Sequence, residues 1–541
     1  MTRRVKTVNT DDWDDGWGDD SWSSSGAWGG GGWDEGYTAK PKAKPKATPK
    51  AKTVPGAGAP KAKSVPGMAA PKAKEKPKAE AKSPAKEASK FEPPPREEKE
   101  DPVALPPEAP ADDRPTISLV VVGHVDAGKS TLMGHLLCLV GVVSSKQLHK
   151  FEKDSKQLGK ASFAYAWVLD EGDDERARGV TIDVCVKHFE TKSRRFTILD
   201  APGHRDFVPN MVQGAVQADV ALLVTDSSSF EAGFERGGQT KEHLQLVRAL
   251  GISNVVVAIN KLDACKWDEK VFENIKMRLH DYITGPEVGF KEDSVQYIPL
   301  SGFSGENMME RKEPALSAWW KGPTLVEALD RLPAPPRPSS TAPLRLCVSD
   351  VYKSGANTCL SGKVESGTVT AGQKVILLPS NEQTTVKSLQ LREAPTRSAK
   401  SGDYLDSVIV PVEPQFASIG GVLCEPRNPV AVADTLQVQL LVFDTEIPLM
   451  RGAQLMCYLH TETLTATLVR LEKLIVKGVA QEKRPKCLVK GNTAIVWLQV
   501  SQKVCVDAKP TGPGAVTTSL SRLVLRDRGR TVGAGVVLAV Q

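Results

Sequence analysis

Apolar residues collect in short runs along the middle of the chain, at 117–122, 196–199, 220–224 and 255–259, the last two uninterrupted. Runs of this length predict strands buried on both faces of a parallel sheet. After the first run the spacing changes, and Leu132, Met133, Leu136 and Leu137 fall on one face of a helix. A shorter strand is predicted at 297–300 and a helix at 325–332, and Pro333-Ala334-Pro335-Pro336-Arg337-Pro338 then stops it. The alternation predicts a doubly wound α/β domain over 114–332, with its ligand at the carboxyl ends of the strands. Beyond a linker at 333–340, polar and apolar residues alternate between glycines, as from Leu360 to Val375. That pattern predicts two all-β barrel domains, at 341–428 and 429–541.

Residues 1–113 carry almost no aliphatic side chains to offset chain entropy and predict a disordered extension. Its first part, 10–37, is acidic and holds Trp13, Trp17, Trp22, Trp28 and Trp33. Next comes a Lys/Ala/Pro block at 38–90, and then an acidic, proline-rich stretch. The lysines predict either a solvated, self-repelling linker or a salt-sensitive hold on a phosphate backbone. Tryptophans among carboxylates fit anchors that bury in a partner's pocket, so the extension is expected to bind a further protein or RNA. A second polar stretch, 144–183, predicts a mobile loop region.

The totals narrow the class. At 541 residues the chain has room for about three or four domains. A net charge of +6 neither demands nor excludes a nucleic-acid partner. Nine dispersed cysteines, with no C-x-x-C pair and no zinc spacing, suit a reducing compartment. No run of 18 apolar residues is present, so no membrane span and a cytoplasmic protein are expected.

The chemistry begins at Gly123-His124-Val125-Asp126-Ala127-Gly128-Lys129-Ser130-Thr131, between a strand and a helix. In that context G-x-x-x-x-G-K-[ST] is a phosphate loop, because its glycines turn backbone N–H groups inward at a helix N-terminus. Asp126 to Thr131 are the expected nucleotide contacts, with Lys129 reaching the β- and γ-phosphates and Ser130 ligating Mg²⁺. Thr181 is a candidate to close on Mg²⁺ and the γ-phosphate. Asp200 ends a strand where the Mg²⁺ sphere needs a carboxylate reached through water. The turn after it aims the Gly203 N–H at the γ-phosphate, and His204 is placed to orient the attacking water. Asn260-Lys261-Leu262-Asp263 after a buried strand selects guanine, with Asp263 pairing to N1–H and the exocyclic amine. Ser301-Gly302-Phe303 offers a backbone N–H to the guanine carbonyl.

The order of these motifs resembles the translational GTPases of the elongation factor 1-alpha group, over residues 114–541. The resemblance carries Gly123-His-Val-Asp-x-Gly-Lys-Ser-Thr, Arg178-Gly-Val-Thr-Ile-Asp183, Asp200-Ala-Pro-Gly-His204 and Asn260-Lys-x-Asp263. It implies GTP hydrolysis on the ribosome, triggered when ribosomal RNA positions His204, and barrels that bind a tRNA-shaped partner and the small subunit. Elongation factor 1-alpha itself lacks so long an extension. Phe207-Val-Pro-Asn210, Phe234-Glu-Arg-Gly-Gly-Gln-Thr240 and Trp267 are similar to the release and rescue branches. Val180 and Asp183 stand where the release-factor GTPase has lysine and glutamate, which leaves the Hbs family, the partners of Pelota on stalled ribosomes. The other readings are a termination GTPase, a tRNA carrier, or a tethering adaptor with structural nucleotide.

Overall fold

The structure, a computed structural model, describes residues 114–157, 163–170, 172–235, 238–355, 357–476, 478–510 and 516–541. The expectations for residues 1–113, disorder and tryptophan anchors, lie outside the described residues. Strand β1 (Thr116–Val122) runs into helix α1 (Lys129–Leu139), followed by α2 (Ser145–Gln157), α3 (Asp173–Arg178), β2 (Cys185–Glu190), β3 (Arg195–Asp200) and α4 (Val208–Val216). The second half adds β4 (Val220–Asp226), α5 (Phe230–Phe234), α6 (Thr240–Ala249), β5 (Asn254–Asn260), α7 (Glu269–Thr284), β6 (Val295–Pro299), α8 (Pro314–Trp319) and α9 (Leu325–Asp330). The strands form one sheet in the order β2-β3-β1-β4-β5-β6, parallel except for β2, which pairs antiparallel with β3.

The apolar runs divide by parity, as side chains alternating across a sheet must. Leu119, Val121, Leu222, Val224, Val256 and Ala258 pack under α1. Val120, Val122, Ala221, Leu223, Val255 and Val257 pack on the other face, against α4, α6 and α7. β1 lies between β3 and β4, so the chain leaves it in one direction and later returns on the other. Such a reversal opens a crevice at the strands' carboxyl ends.

The 144–183 stretch differs from the loop expected of it. Most of its first half is α2, a charged helix whose Phe151 packs against the α1-side core. Residues 166–168 form a buried turn, and α3 follows. The Arg176 guanidinium lies 5.7 Å from the Phe151 ring centroid and 5.6 Å from that of Trp167. Few apolar residues suffice here because they meet a preformed core, which local periodicity does not report.

Beyond the linker, an eight-stranded antiparallel sheet that includes Arg345–Ser354, Asn357–Ser366 and Tyr404–Val410 wraps its own apolar core. In the last module Gln454–Leu459 pairs with both Arg522–Asp527 and Glu462–Val476, closing the sheet into a barrel around a separate core. Phe443, Tyr458, Val524 and Ala534 of this barrel join the core cluster of the α/β domain. Five of the nine cysteines, Cys347, Cys359, Cys424, Cys457 and Cys505, are buried, and all nine are free thiols.

Polar contacts also cross between modules. Asp219, in the turn between α4 and β4, accepts from Arg337 Nη1 and Nη2 at 2.8 and 2.5 Å and from Lys363 Nζ at 3.0 Å. His188 on β2 sits 2.9 Å from Asp406 Oδ1 of the first barrel. Arg526 donates to Glu242 at the start of α6 at 2.9 Å. Among the described residues no helix is long and apolar enough to cross a membrane.

Candidate functional site

A cavity of about 440 Å³ opens over the carboxyl ends of β1, β3 and β5. The loop after β1 forms its floor, and Asp126, Gly128, Lys129, Ser130 and Thr131 line it. Ala127 is buried behind them, its carbonyl accepting from Asn260 Nδ2 at 2.8 Å. Lys129 Nζ donates back to the carbonyls of Gly123 and His124, at 3.2 and 3.1 Å. Burial pulls its pKa down to about 8, against the attraction of Asp200, Asp126 and Asp170. A buried ammonium beside inward-turned backbone N–H groups favours an anion.

Ser130 Oγ lies 3.0 Å from Thr181 Oγ1, and Thr181 donates to Asp170 Oδ1 at 3.2 Å. Asp170 was not singled out from sequence. It is buried, lines the cavity, and burial with the neighbouring charges of Asp200 and Glu175 pushes its pKa up to about 7. The signal was present: Trp167-Val168-Leu169-Asp170 is an apolar run ending in a carboxylate, as is Phe196-Thr197-Ile198-Leu199-Asp200. Asp200 lies just behind the lining, fully buried, and neither of its oxygens makes a hydrogen bond among the described residues. Burial pushes its pKa up to about 6. Two buried carboxylates and two hydroxyls so grouped are a donor set for a hard divalent cation.

Thr181 is held from outside. Glu175 Oε1 accepts from the backbone N–H groups of Ile182 and Asp183, at 2.8 and 3.2 Å. Asn210 on α4 donates to the Ile182 carbonyl at 2.8 Å and to Asp183 Oδ1 at 3.0 Å. The Thr181 segment is thereby tied to the helix that follows Gly203 and His204. Both Gly203 and His204 line the cavity. His204 Nδ1 accepts from the Asp206 N–H at 3.2 Å, which leaves Nε2 to carry the proton of the neutral ring.

At the far end Asp263, Lys261 and Phe303 line the cavity, with Phe303 60% exposed at its rim. Asn260 also reaches the lining, and its amide makes two further contacts within the fold. Its Oδ1 accepts from the Gly302 N–H at 2.8 Å while its Nδ2 holds Ala127, so one buried side chain joins the phosphate loop to the 301–303 loop. Ser301 and Gly302 lie behind the lining, where Ser301 Oγ accepts from the Ser304 N–H at 3.2 Å. Lys261 Nζ donates to the Asp126 carbonyl at 2.6 Å and to Asp226 Oδ2 at 2.8 Å. Burial opposes ionisation of Asp226, yet hydrogen bonds from Lys261, Ser228 and Ser229 outweigh it and hold its pKa at about 2.

A phosphate loop between β1 and α1, with Lys261, Asp263 and Phe303 across the same cavity, marks a nucleotide-binding α/β domain. Residues 114–335 match the elongation factor Tu GTP binding domain, and residues 435–538 match the GTP-eEF1A C-terminal domain-like family. Over 437 residues the chain is 41% identical to protein HBS1 of Drosophila melanogaster, a match covering 80% of this chain and 64% of that protein's length. It is 38% identical to elongation factor 1-alpha of Thermofilum pendens, covering 80% of this chain and 99% of that one. The solved GTPase-like domain of S. cerevisiae Ski7, bound to GTP, superposes with a TM-score of 0.67 at 18% identity, over 79% of this chain and 98% of that one. The chain belongs to the elongation factor 1-alpha family of translational GTPases.

Proposed function

We propose that this chain is a ribosome-activated GTPase switch of the Hbs type, which delivers a Pelota-type, tRNA-mimicking factor to stalled ribosomes. The observation that carries the switch is the chain of contacts Ser130–Thr181–Asp170 at one cavity wall, with Asn210 tying the Thr181 segment to the helix after His204. The assignment to the rescue branch is supported by the 41% identity with Drosophila protein HBS1.

In this reading Asp126 to Thr131 cradle the phosphates, and Lys129 neutralises the β- and γ-phosphates. Asp263 reads the guanine edge, and Ser301, Gly302 and Phe303 close over the base. Ser130 and Thr181, with Asp200 through water, would hold Mg²⁺, which would supply charge neutralisation at the phosphates. Asp170 holds the Thr181 hydroxyl in place. The Gly203 N–H meets the γ-phosphate, and His204 orients water once the ribosome positions it. Phosphoryl transfer needs little covalent help, so placing these groups carries the rate. With the γ-phosphate gone, Thr181 and Gly203 lose their shared ligand, the two segments relax, and the delivered factor stays behind.

Two experiments test this. Asp263→Asn is expected to move preference from guanosine to xanthosine triphosphate, because the amide now donates where the base must donate too. Competition binding checks it, and an unchanged guanine preference overturns the base assignment. Affinity capture with the GTP-bound chain is expected to retain Pelota; retention of the stop-codon-reading release factor instead moves the protein to the termination branch.

A further inference from the structure

His135 takes no part in the site described above, yet three of its surfaces are occupied. It sits on α1 and is 7% exposed. Its Nδ1 lies 2.8 Å from the Gly302 carbonyl, and since a carbonyl only accepts, Nδ1 carries the proton. Its ring stacks on Tyr165 with centroids 4.1 Å apart and planes 12° from parallel. On its edge is Gly305, at φ +77°, where an added Cβ would stand 2.7 Å from His135 Cε1. The neighbouring Gly134 lets the Tyr165 backbone settle on the helix, since a Cβ there would lie 1.9 Å from the Tyr165 carbonyl oxygen. Burial lowers the His135 pKa, against hydrogen bonds with the Gly302 and Phe303 backbone, so the ring is neutral near pH 7.

These contacts join segments that approach the cavity from opposite ends. Gly302 receives Asn260 on its N–H and His135 on its carbonyl. Tyr165 opens the run 166–170, which ends at Asp170, the carboxylate that holds Thr181. We propose that His135 is a positioning residue that couples the base-end loop to the segment carrying Asp170, so that filling the cavity with guanine nucleotide orders both. The inference rests on the nucleotide reading above. The stack resists sliding of Tyr165 along α1, and the hydrogen bond fixes the ring plane that Tyr165 meets.

The test follows release of a fluorescent GDP analogue and amide exchange over 163–170 and 301–305, with and without saturating GDP. In the unaltered chain GDP is expected to slow exchange in both segments. In His135→Ala, GDP still protects 301–305 but no longer 163–170, and release quickens about tenfold as one hydrogen bond and one stacked contact are lost. His135→Phe keeps the stack without the donor, and His135→Asn keeps a donor near Nδ1 without the ring; each is expected to fall between. Protection of 163–170 in all three variants equal to that of the unaltered chain overturns the coupling alone. Failure of the unaltered chain to bind the GDP analogue overturns the nucleotide reading, and this inference with it.

Discussion

His204→Ala is expected to leave GTP and GDP affinity within about twofold, while ribosome-stimulated turnover falls at least about a hundredfold, the scale of a lost proton-handling or water-orienting group. The ring lines the cavity with Nδ1 engaged by the Asp206 N–H, and among the described residues it makes no hydrogen bond to the phosphate loop. Binding and stimulated hydrolysis therefore separate at this residue. Equilibrium nucleotide titration, followed by multiple-turnover phosphate release with and without ribosomes, measures both. Stimulated turnover equal to that of the unaltered chain would falsify the assignment.

Asp219→Ala is expected to destabilise the fold by about 3–5 kcal/mol, because it strands buried cations without a counter-charge. Its side chain is 7% exposed and Lys363 is 4% exposed, and the Arg337 guanidinium grips both carboxylate oxygens. A fourth bond, from the Ser118 N–H at 2.8 Å, seats the carboxylate on β1. Three parts of the chain thus meet at one residue: the sheet, the linker and the first barrel. Burial works to raise the Asp219 pKa, but Lys363 and Arg337 outweigh it and hold the carboxyl below its ordinary 3.8. A depressed folded value means the cluster's contribution is complete above pH 3.8 and is lost as the pH falls through the folded value. Urea unfolding at neutral pH measures the cost. A loss under about 1 kcal/mol, the size expected of a solvated pair, would show that water screens the cluster. The double variant Asp219→Leu with Lys363→Met is expected to recover part of the stability, since it removes the more deeply buried of the two stranded charges and leaves Arg337 its bond to the Thr116 carbonyl.

The same carboxylate ends a series of contacts that no motif announces. Asp219 follows α4, the helix that carries Asn210, and Asn210 holds the Thr181 segment. One helix of nine residues thus lies between the contacts of the Thr181 segment and those of the first barrel. His188 and Asp406 add a second tie, between β2 and the first barrel.

What could be read from residues alone was whatever depends on near neighbours in the chain. The buried strands announced themselves as short, mostly apolar runs, because both faces of their sheet are covered. The phosphate loop and the carboxylate of Asp200 announced themselves by their place at strand ends, since a strand's polarity dictates which end meets the ligand. Contacts between distant segments left no such trace. Asp170 closes a short apolar run inside a stretch that otherwise reads as polar loop, but its burial and its bond to Thr181 are not in that run. Asn260 stands in a motif that points to the base, and its amide also joins two backbone groups brought together by folding, from positions 127 and 302. The pairing of Asp219 with Arg337 and Lys363 spans 118 and 144 residues. Chain-local spacing encodes which element forms; which buried charge meets which depends on how the elements pack, and that is settled by the shape of the whole molecule.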